Sequence, residues 1–187
     1  VRHLNWTAGA LVLALAACGS PEPADEATPA ADMATTPTAD ANMLATATLK
    51  TPDGTDAGMV TATPSANGIL ISLNVTGLPA GEHGAHVHTV GKCEGPDFKS
   101  AEGHWNPSDQ KHGLEDPAGQ HAGDMPNLVV GEDGSGTLEY TLQGGTFEGL
   151  LDSDGSALVV HAGRDDQKTD PSGDSGDRIA CGVFTAS

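Results

Sequence analysis

Residues Ile69 to Val75, ILISLNV, place Ile69, Ile71, Leu73 and Val75 on one face and Leu70, Ser72 and Asn74 on the other. A period of two marks a strand with one buried face. Met43–Thr51 and Gly58–Thr63 alternate in the same way, and Asn67-Gly68 before the third run signals a tight hairpin. Leu128–Val130 and Thr137–Leu142 flank Glu132-Asp133-Gly134, a second hairpin signal. Ala157–His161, Ile179–Phe184 and the segment holding His86 and His88 complete the set. No long segment carries a helical period. About eight short strands between Gly, Pro, Asn and Asp punctuation predict an all-β fold, an eight-stranded antiparallel sandwich or Greek-key barrel. Two segments break the pattern, Cys93–Asn127 and Ala162–Asp177, both poor in apolar periodicity. Loops of this length inside a compact domain are functional or disordered; three histidines in the first favour function.

The N-terminus has another composition. Ala8 to Ala17 is uncharged and mostly apolar and follows Arg2. It is too short for a span of ~20 residues but suits a secretory signal. Leu15-Ala16-Ala17-Cys18 resembles the lipobox of bacterial lipoproteins, which implies cleavage before Cys18 and acylation of its thiol; an ordinary signal cleavage site is the alternative. Residues 19–42 hold Pro, Ala, Thr, Asp and Glu and almost no large apolar side chain, so they cannot offset their ordering entropy. The expected organisation is a lipoprotein signal peptide at 1–17, a lipidated cysteine and acidic tether at 18–42, and one domain at 43–187. Such a protein is exported to the periplasm and touches a membrane only through Cys18. Gly19 after the lipid cysteine suits the outer membrane.

The chain has three cysteines. With lipid on Cys18, Cys93 and Cys181 remain as one pair, and an oxidising compartment favours a disulfide over separate buried thiols. Formal net charge is −18, and setting aside Arg2 and the five acids of the tether leaves −14 on the domain. That balance excludes nucleic acid as a partner, since phosphate contacts need a basic surface.

Seven histidines lie beyond the signal: His83, His86, His88, His104, His112, His121 and His161. On a strand, His86 and His88 at i and i+2 share a face; such a pair is a solvated decoration or half of a metal site. Loop residues ending in His121 and Asp124 can close the tetrahedral nitrogen and oxygen set that zinc accepts. An all-imidazole set on the strand side suits copper.

Five motifs in order, HGAHVHTVGKC at 83–93, GHWNP at 103–107, KHG at 111–113, HAGDMPN at 121–127 and ALVVHAGRDDQKTDPSGDSGDRIACGV at 157–183, resemble the copper–zinc superoxide dismutases, above all their bacterial exported branch. The resemblance runs from about Met43 to Phe184. It implies dismutation of superoxide to dioxygen and hydrogen peroxide by alternating reduction and oxidation of copper. Residue by residue, it implies His86, His88, His104 and His161 as copper ligands and His104, His112, His121 and Asp124 as zinc ligands, with His104 shared. It further implies Asp165 as a carboxylate joining a copper ligand to a zinc ligand, Arg178 at the mouth of the copper channel, and a Cys93–Cys181 disulfide. His83 is expected to bond to backbone and Trp105 to pack in the core. Lys99, Lys111 and Lys168 are candidates for steering the anion by their place in the sequence, and the oligomer is a monomer or a homodimer.

Overall fold

The computed structural model describes residues 43–187. The signal, the tether and Cys18 lie outside the described residues. Ten strands form in antiparallel register: β1 (Ala45–Lys50), β2 (Asp56–Ser65), β3 (Gly68–Val75), β4 (Gly81–His83), β5 (Ala85–His88), β6 (Leu128–Val130), β7 (Gly136–Leu142), β8 (Ala157–His161), β9 (Arg178–Val183) and β10 (Thr185–Ala186). All eight expected strands are present. The two additions, β4 and β10, have three and two residues, too few for a period to register. The first hairpin also differs by one residue: Ser65 pairs with Gly68, so Ala66-Asn67 make the turn and Gly68 opens β3. A side chain at Gly68 would meet the Leu142 carbonyl, which fixes glycine there.

The spatial order is β4-β6-β7-β3-β2-β1-β9-β8-β5, with β10 beside β1. Its two ends, β4 and β5, are one stretch of chain interrupted at Gly84. The first half pairs with β6 and the second with β8, so the sheet closes on itself. Counted as one strand, β4–β5 also restores the number eight for the barrel without β10. From β7 the chain crosses back to lay β8 beside β5, which is a Greek-key connection.

Inside the barrel the alternating residues interdigitate: Leu49, Val60, Ile71, Leu73, Leu128 and Leu158 are fully buried. Each such side chain contributes ~1.5–3 kcal/mol by leaving water. Ala85 and Val87 of β5 join this core, which turns His86 and His88 to the outside of the barrel. There they stay buried, because the two long loops fold over that face. Phe98, Ala101, Ala157, Val159 and Cys181 form a second apolar cluster between the first loop and the strands. Trp105 anchors the same loop in the main core, pressed against Gly145 so closely that an added Cβ would stand 2.1 Å from its ring. Packing, rather than chemistry, is the work of Trp105.

Candidate metal centre

The side of β5 not paired with β8 is taken by the first loop, which returns to it twice. Isolated antiparallel bridges join His88 to His104 and His86 to Asp124. Between them, the Val87 amide donates to the Gly123 carbonyl and Val87 accepts from Trp105. Gly123 allows this approach, as a Cβ there would lie 2.2 Å from the Val87 carbonyl oxygen. Two strand residues therefore fix where two loop residues sit. His161, at the end of β8, donates its backbone N–H to Gly84 at 2.8 Å and faces the same space.

Four histidines converge here: His86, His88, His104 and His161, each with a ring nitrogen within 4.8 Å of the others. In every one, the second nitrogen is already occupied. His86 Nε2 donates to Asp165 Oδ2 (2.6 Å), His88 Nδ1 to the Glu102 carbonyl (2.7 Å), His161 Nδ1 to the Gly176 carbonyl (3.1 Å), and His104 Nδ1 faces Asp124 Oδ1 (2.9 Å). The inward nitrogens, His86 Nδ1 and Nε2 of His88, His104 and His161, are buried and have no hydrogen-bond partner. A buried polar atom without a partner is costly, and four aimed at one another make a cation site. The outward bonds fix the tautomers that leave these lone pairs free. Burial and the neighbouring His104 push His86 down to about 3; burial pushes His161 down to about 4. Both imidazoles are therefore neutral near pH 7, the form that metal ligation requires. An all-nitrogen set of this kind fits copper.

The second group shares His104. Asp124 Oδ1 lies 2.9 Å from His104 Nδ1, 3.1 Å from His112 Nδ1 and 3.2 Å from His121 Nδ1, while the Nδ1 atoms of His104 and His121 are 3.4 Å apart. A tetrahedron with zinc-length bonds has edges of ~3.3 Å, so the four donors match such a site. Asp124 Oδ2 accepts the backbone N–H groups of Gly113 (2.8 Å) and His121 (3.0 Å), which orients the carboxylate. Burial alone would raise the Asp124 carboxyl; hydrogen bonds from His104, His112 and His121 reverse this and hold it far below the usual carboxylate range.

Asp165 spans the two groups. Its Oδ2 takes His86 Nε2, and its Oδ1 lies 3.1 Å from His112 Nε2 and accepts the Gln167 N–H at 2.6 Å. Burial opposes protonation of His112, but Asp124 and Asp165 together lift it to about 9. Asn127, part of a quoted motif but given no role from sequence, holds Asp165 by both backbone groups. Its Nδ2 donates to the Asp165 carbonyl (2.9 Å) and its Oδ1 accepts the Asp165 N–H (2.8 Å).

Beside the four-histidine group opens a pocket of about 370 Å³ lined by His88, His104, His161, Pro171, Ser172 and Arg178, among others. Arg178 donates to the carbonyls of Phe98 (2.7 Å) and Glu102 (2.6 Å), not to Asp174 or Asp177. Cys93 and Cys181 form a disulfide that ties the first loop to β9. His83 is in none of these donor groups, and its ring nitrogens meet the carbonyls of His161 (2.8 Å) and Pro79 (2.9 Å). The three candidate lysines are each paired with an acid: Lys99 with Asp97, Lys111 with Asp170 and Lys168 with Glu115. The backbone carbonyls of Glu102 and Gly176 were invisible to a reading of residue types, because every residue has a carbonyl.

Known proteins share this arrangement of sequence and fold. The family model described as copper/zinc superoxide dismutase matches residues 56–184. A protein of Caulobacter vibrioides named superoxide dismutase [Cu-Zn] is 46% identical over 75% of this chain and 84% of its own. One of Aquifex aeolicus, superoxide dismutase [Cu-Zn] 1, is 48% identical over 63% of this chain and 73% of its own. Among solved structures, a superoxide dismutase-like protein from Bacillus subtilis superposes with a TM-score of 0.69 at 37% identity, covering 75% of this chain and 97% of that one. With a buried four-histidine group joined through His104 to three histidines and a carboxylate, and with these similarities along most of its length, the chain belongs to the copper/zinc superoxide dismutase family.

Proposed function

We propose that the protein converts two superoxide anions and two protons to dioxygen and hydrogen peroxide, with copper held by His86, His88, His104 and His161 and zinc by His104, His112, His121 and Asp124. The observation that carries this is the convergence of four buried, unpartnered ring nitrogens whose opposite nitrogens are all fixed. When bound, copper supplies one-electron chemistry by alternating between two oxidation states, and zinc is structural. The chain's own residues do the rest. Arg178, the one lysine or arginine that lines the pocket among the described residues, attracts and orients the anion. Its planar guanidinium is pinned by two carbonyls and still has N–H groups to offer. His104 commits Nδ1 to the zinc side, so Nε2 is the atom at which it can take up and return a proton. Asp165 keeps the orientation of His86 and His112 coupled.

The acidity of the domain does not defeat anion capture. Charges farther than ~8–10 Å from the mouth are screened at physiological salt, and the nearby lysines are already neutralised by their partners. Arg178→Ala is expected to lower turnover at limiting superoxide roughly ten-fold, within the range for lost steering, while copper and zinc contents stay at one each per chain. Metal analysis together with pulse-generated superoxide decay checks this. Full occupancy of both metals with negligible turnover in the wild type would instead favour a copper-carrying protein.

The N-terminus is proposed to be processed before Cys18 and acylated there. The tether would hold a monomer or a homodimer of the enzyme in the periplasm at the outer membrane. The lipobox-like Leu15-Ala16-Ala17-Cys18 supports this. Intact-mass spectrometry of protein extracted from membranes should show loss of residues 1–17 and a diacyl or triacyl addition at Cys18. A soluble product with a free Cys18 would overturn it.

A further inference from the structure

We propose that Asp170 is a positioning residue whose carboxylate latches His121 and so governs how fast zinc leaves the protein. The latch rests on the zinc assignment above and deepens it. In the two metal groups, His86, His88, His112 and His161 each have their outer nitrogen bonded to Asp165 or to a backbone carbonyl. His104 turns Nε2 to the copper group and Nδ1 to the zinc group. His121 is the exception. Its Nδ1 belongs to the zinc group, while its Nε2 faces Asp170 Oδ1 at 3.9 Å, too far for a direct hydrogen bond. Besides the shared His104, His121 is also the one zinc-group residue that lines the 370 Å³ pocket; His112 and Asp124 are fully buried. The zinc group is therefore weakest at the ring that water and competing ligands can reach.

Asp170 is held where a latch has to be. It lies on the second long loop, yet both of its hydrogen-bond donors come from the first. Its Oδ2 accepts from Lys111 Nζ at 2.8 Å and its Oδ1 from the His112 backbone N–H at 3.0 Å. The carboxylate thus bonds the backbone of one zinc-group histidine and faces the ring of another. Pro171 and Ser172, which follow it in the chain, line the pocket together with His121. Chemistry supplies the remaining step. An imidazole that gives Nδ1 to a metal carries its proton on Nε2, and a carboxylate is a usual acceptor for that proton. Lys111 and His112 already fix the acceptor; zinc decides only which nitrogen of His121 keeps the hydrogen. Asp170 then serves His121 as Asp165 serves His112, from the opposite loop in both cases.

The test compares Asp170→Ala, Asp170→Asn and Lys111→Met in the full chain, loaded with zinc and free of copper. The first readout is exchange of the ring N–H protons by NMR. His121 Nε2–H should exchange slowly in the wild type and in Lys111→Met, and fast in Asp170→Ala. His112 Nε2–H, held by Asp165, should stay slow in all of them. The second readout is the rate at which zinc passes to a chromophoric chelator. Asp170→Ala should speed release by ~10-fold or more, the usual effect of losing the outer partner of a metal-bound histidine. Asparagine keeps an oxygen for the His112 N–H without the charge, so Asp170→Asn should fall between on both readouts, and it carries the test if the alanine variant does not fold. Lys111→Met removes an exposed ion pair of little energetic weight and should change release by less than about three-fold. His121 exchange as slow in the Asp170 variants as in the wild type would overturn the latch. So would faster release in Lys111→Met equal to that in Asp170→Ala, because the ion pair between the loops would then be the cause. A wild type that takes up no zinc would overturn the zinc assignment and the latch together. Zinc uptake without superoxide turnover after copper loading would overturn the dismutase reading alone.

Discussion

Asp124→Ala is expected to lower zinc affinity by ~100-fold or more and to destabilise the metal-free domain by ~3–5 kcal/mol, the usual cost of removing one partner from a buried charged set. Oδ1 is the point on which three imidazole nitrogens converge, and Oδ2 satisfies two backbone N–H groups. Alanine leaves those donors buried and empty. Copper uptake through His86, His88 and His161 should persist, because none of the three touches Asp124 through its side-chain nitrogens. Competition of zinc with a chromophoric chelator, and denaturant unfolding, measure the two effects. Wild-type zinc affinity in the variant would remove Asp124 from the site.

The pH dependence of the metal-free protein follows from the same atoms. His112 is raised from 6.5 to about 9, so in the folded state it keeps a proton that the unfolded chain has lost. Its stabilising contribution is complete below about pH 6.5 and disappears as pH rises through about 9. Asp124, held below its ordinary range, contributes above the unfolded carboxylate value and loses that contribution on acidification. In Asp124→Ala, the loss of stability between these alkaline limits should shrink, because His112 retains only Asp165.

Loss of the disulfide is the second large effect. Replacing Cys93 and Cys181 by serine removes a crosslink between residues 88 apart in sequence, for which the chain-entropy model gives ~4–5 kcal/mol. In a domain of this size that corresponds to a fall in Tm on the order of 10–15 °C. The consequence reaches the pocket. Cys93 leads into the turn whose Phe98 and Glu102 carbonyls hold Arg178, and Cys181 lies three residues beyond Arg178 on β9. Azide affinity should therefore weaken along with stability. Calorimetry with and without reductant, and azide titration of the copper-loaded variant, separate the two. Unchanged azide affinity in a folded serine variant would show that the apolar cluster alone holds the turn.

Some of this was legible before any coordinates. Strict alternation in β3 and the hairpin signals before it and between β6 and β7 identify the all-β fold, since a one-residue shift would turn Ile69, Ile71 and Leu73 outward. The same alternation puts His86 and His88 on the face opposite Val87. Loop spacing and residue type point to a second, carboxylate-containing group, and the ordered motifs point to the family. By resemblance alone, the sequence also implied that Asp165 joins a copper ligand to a zinc ligand; that the two are His86 and His112 is seen only in the fold.

Tertiary structure decided the rest. That β4 and β5 are the two halves of one closing strand depends on partners 45 or more residues away. That Lys111 and Lys168 are neutralised depends on Asp170 and Glu115, each more than 50 residues distant, so nearness in sequence to the metal motifs said nothing about their fields. The orientation of every copper-group histidine is set by Asp165, Asp124 or a backbone carbonyl. A carbonyl has no letter in the sequence. The chain by itself named which side chains can bind metal, because that is a property of residue type and period. Which nitrogen each one turns inward follows from hydrogen bonds made by distant carboxylates and backbone carbonyls, and those exist only once the loops have closed over β5.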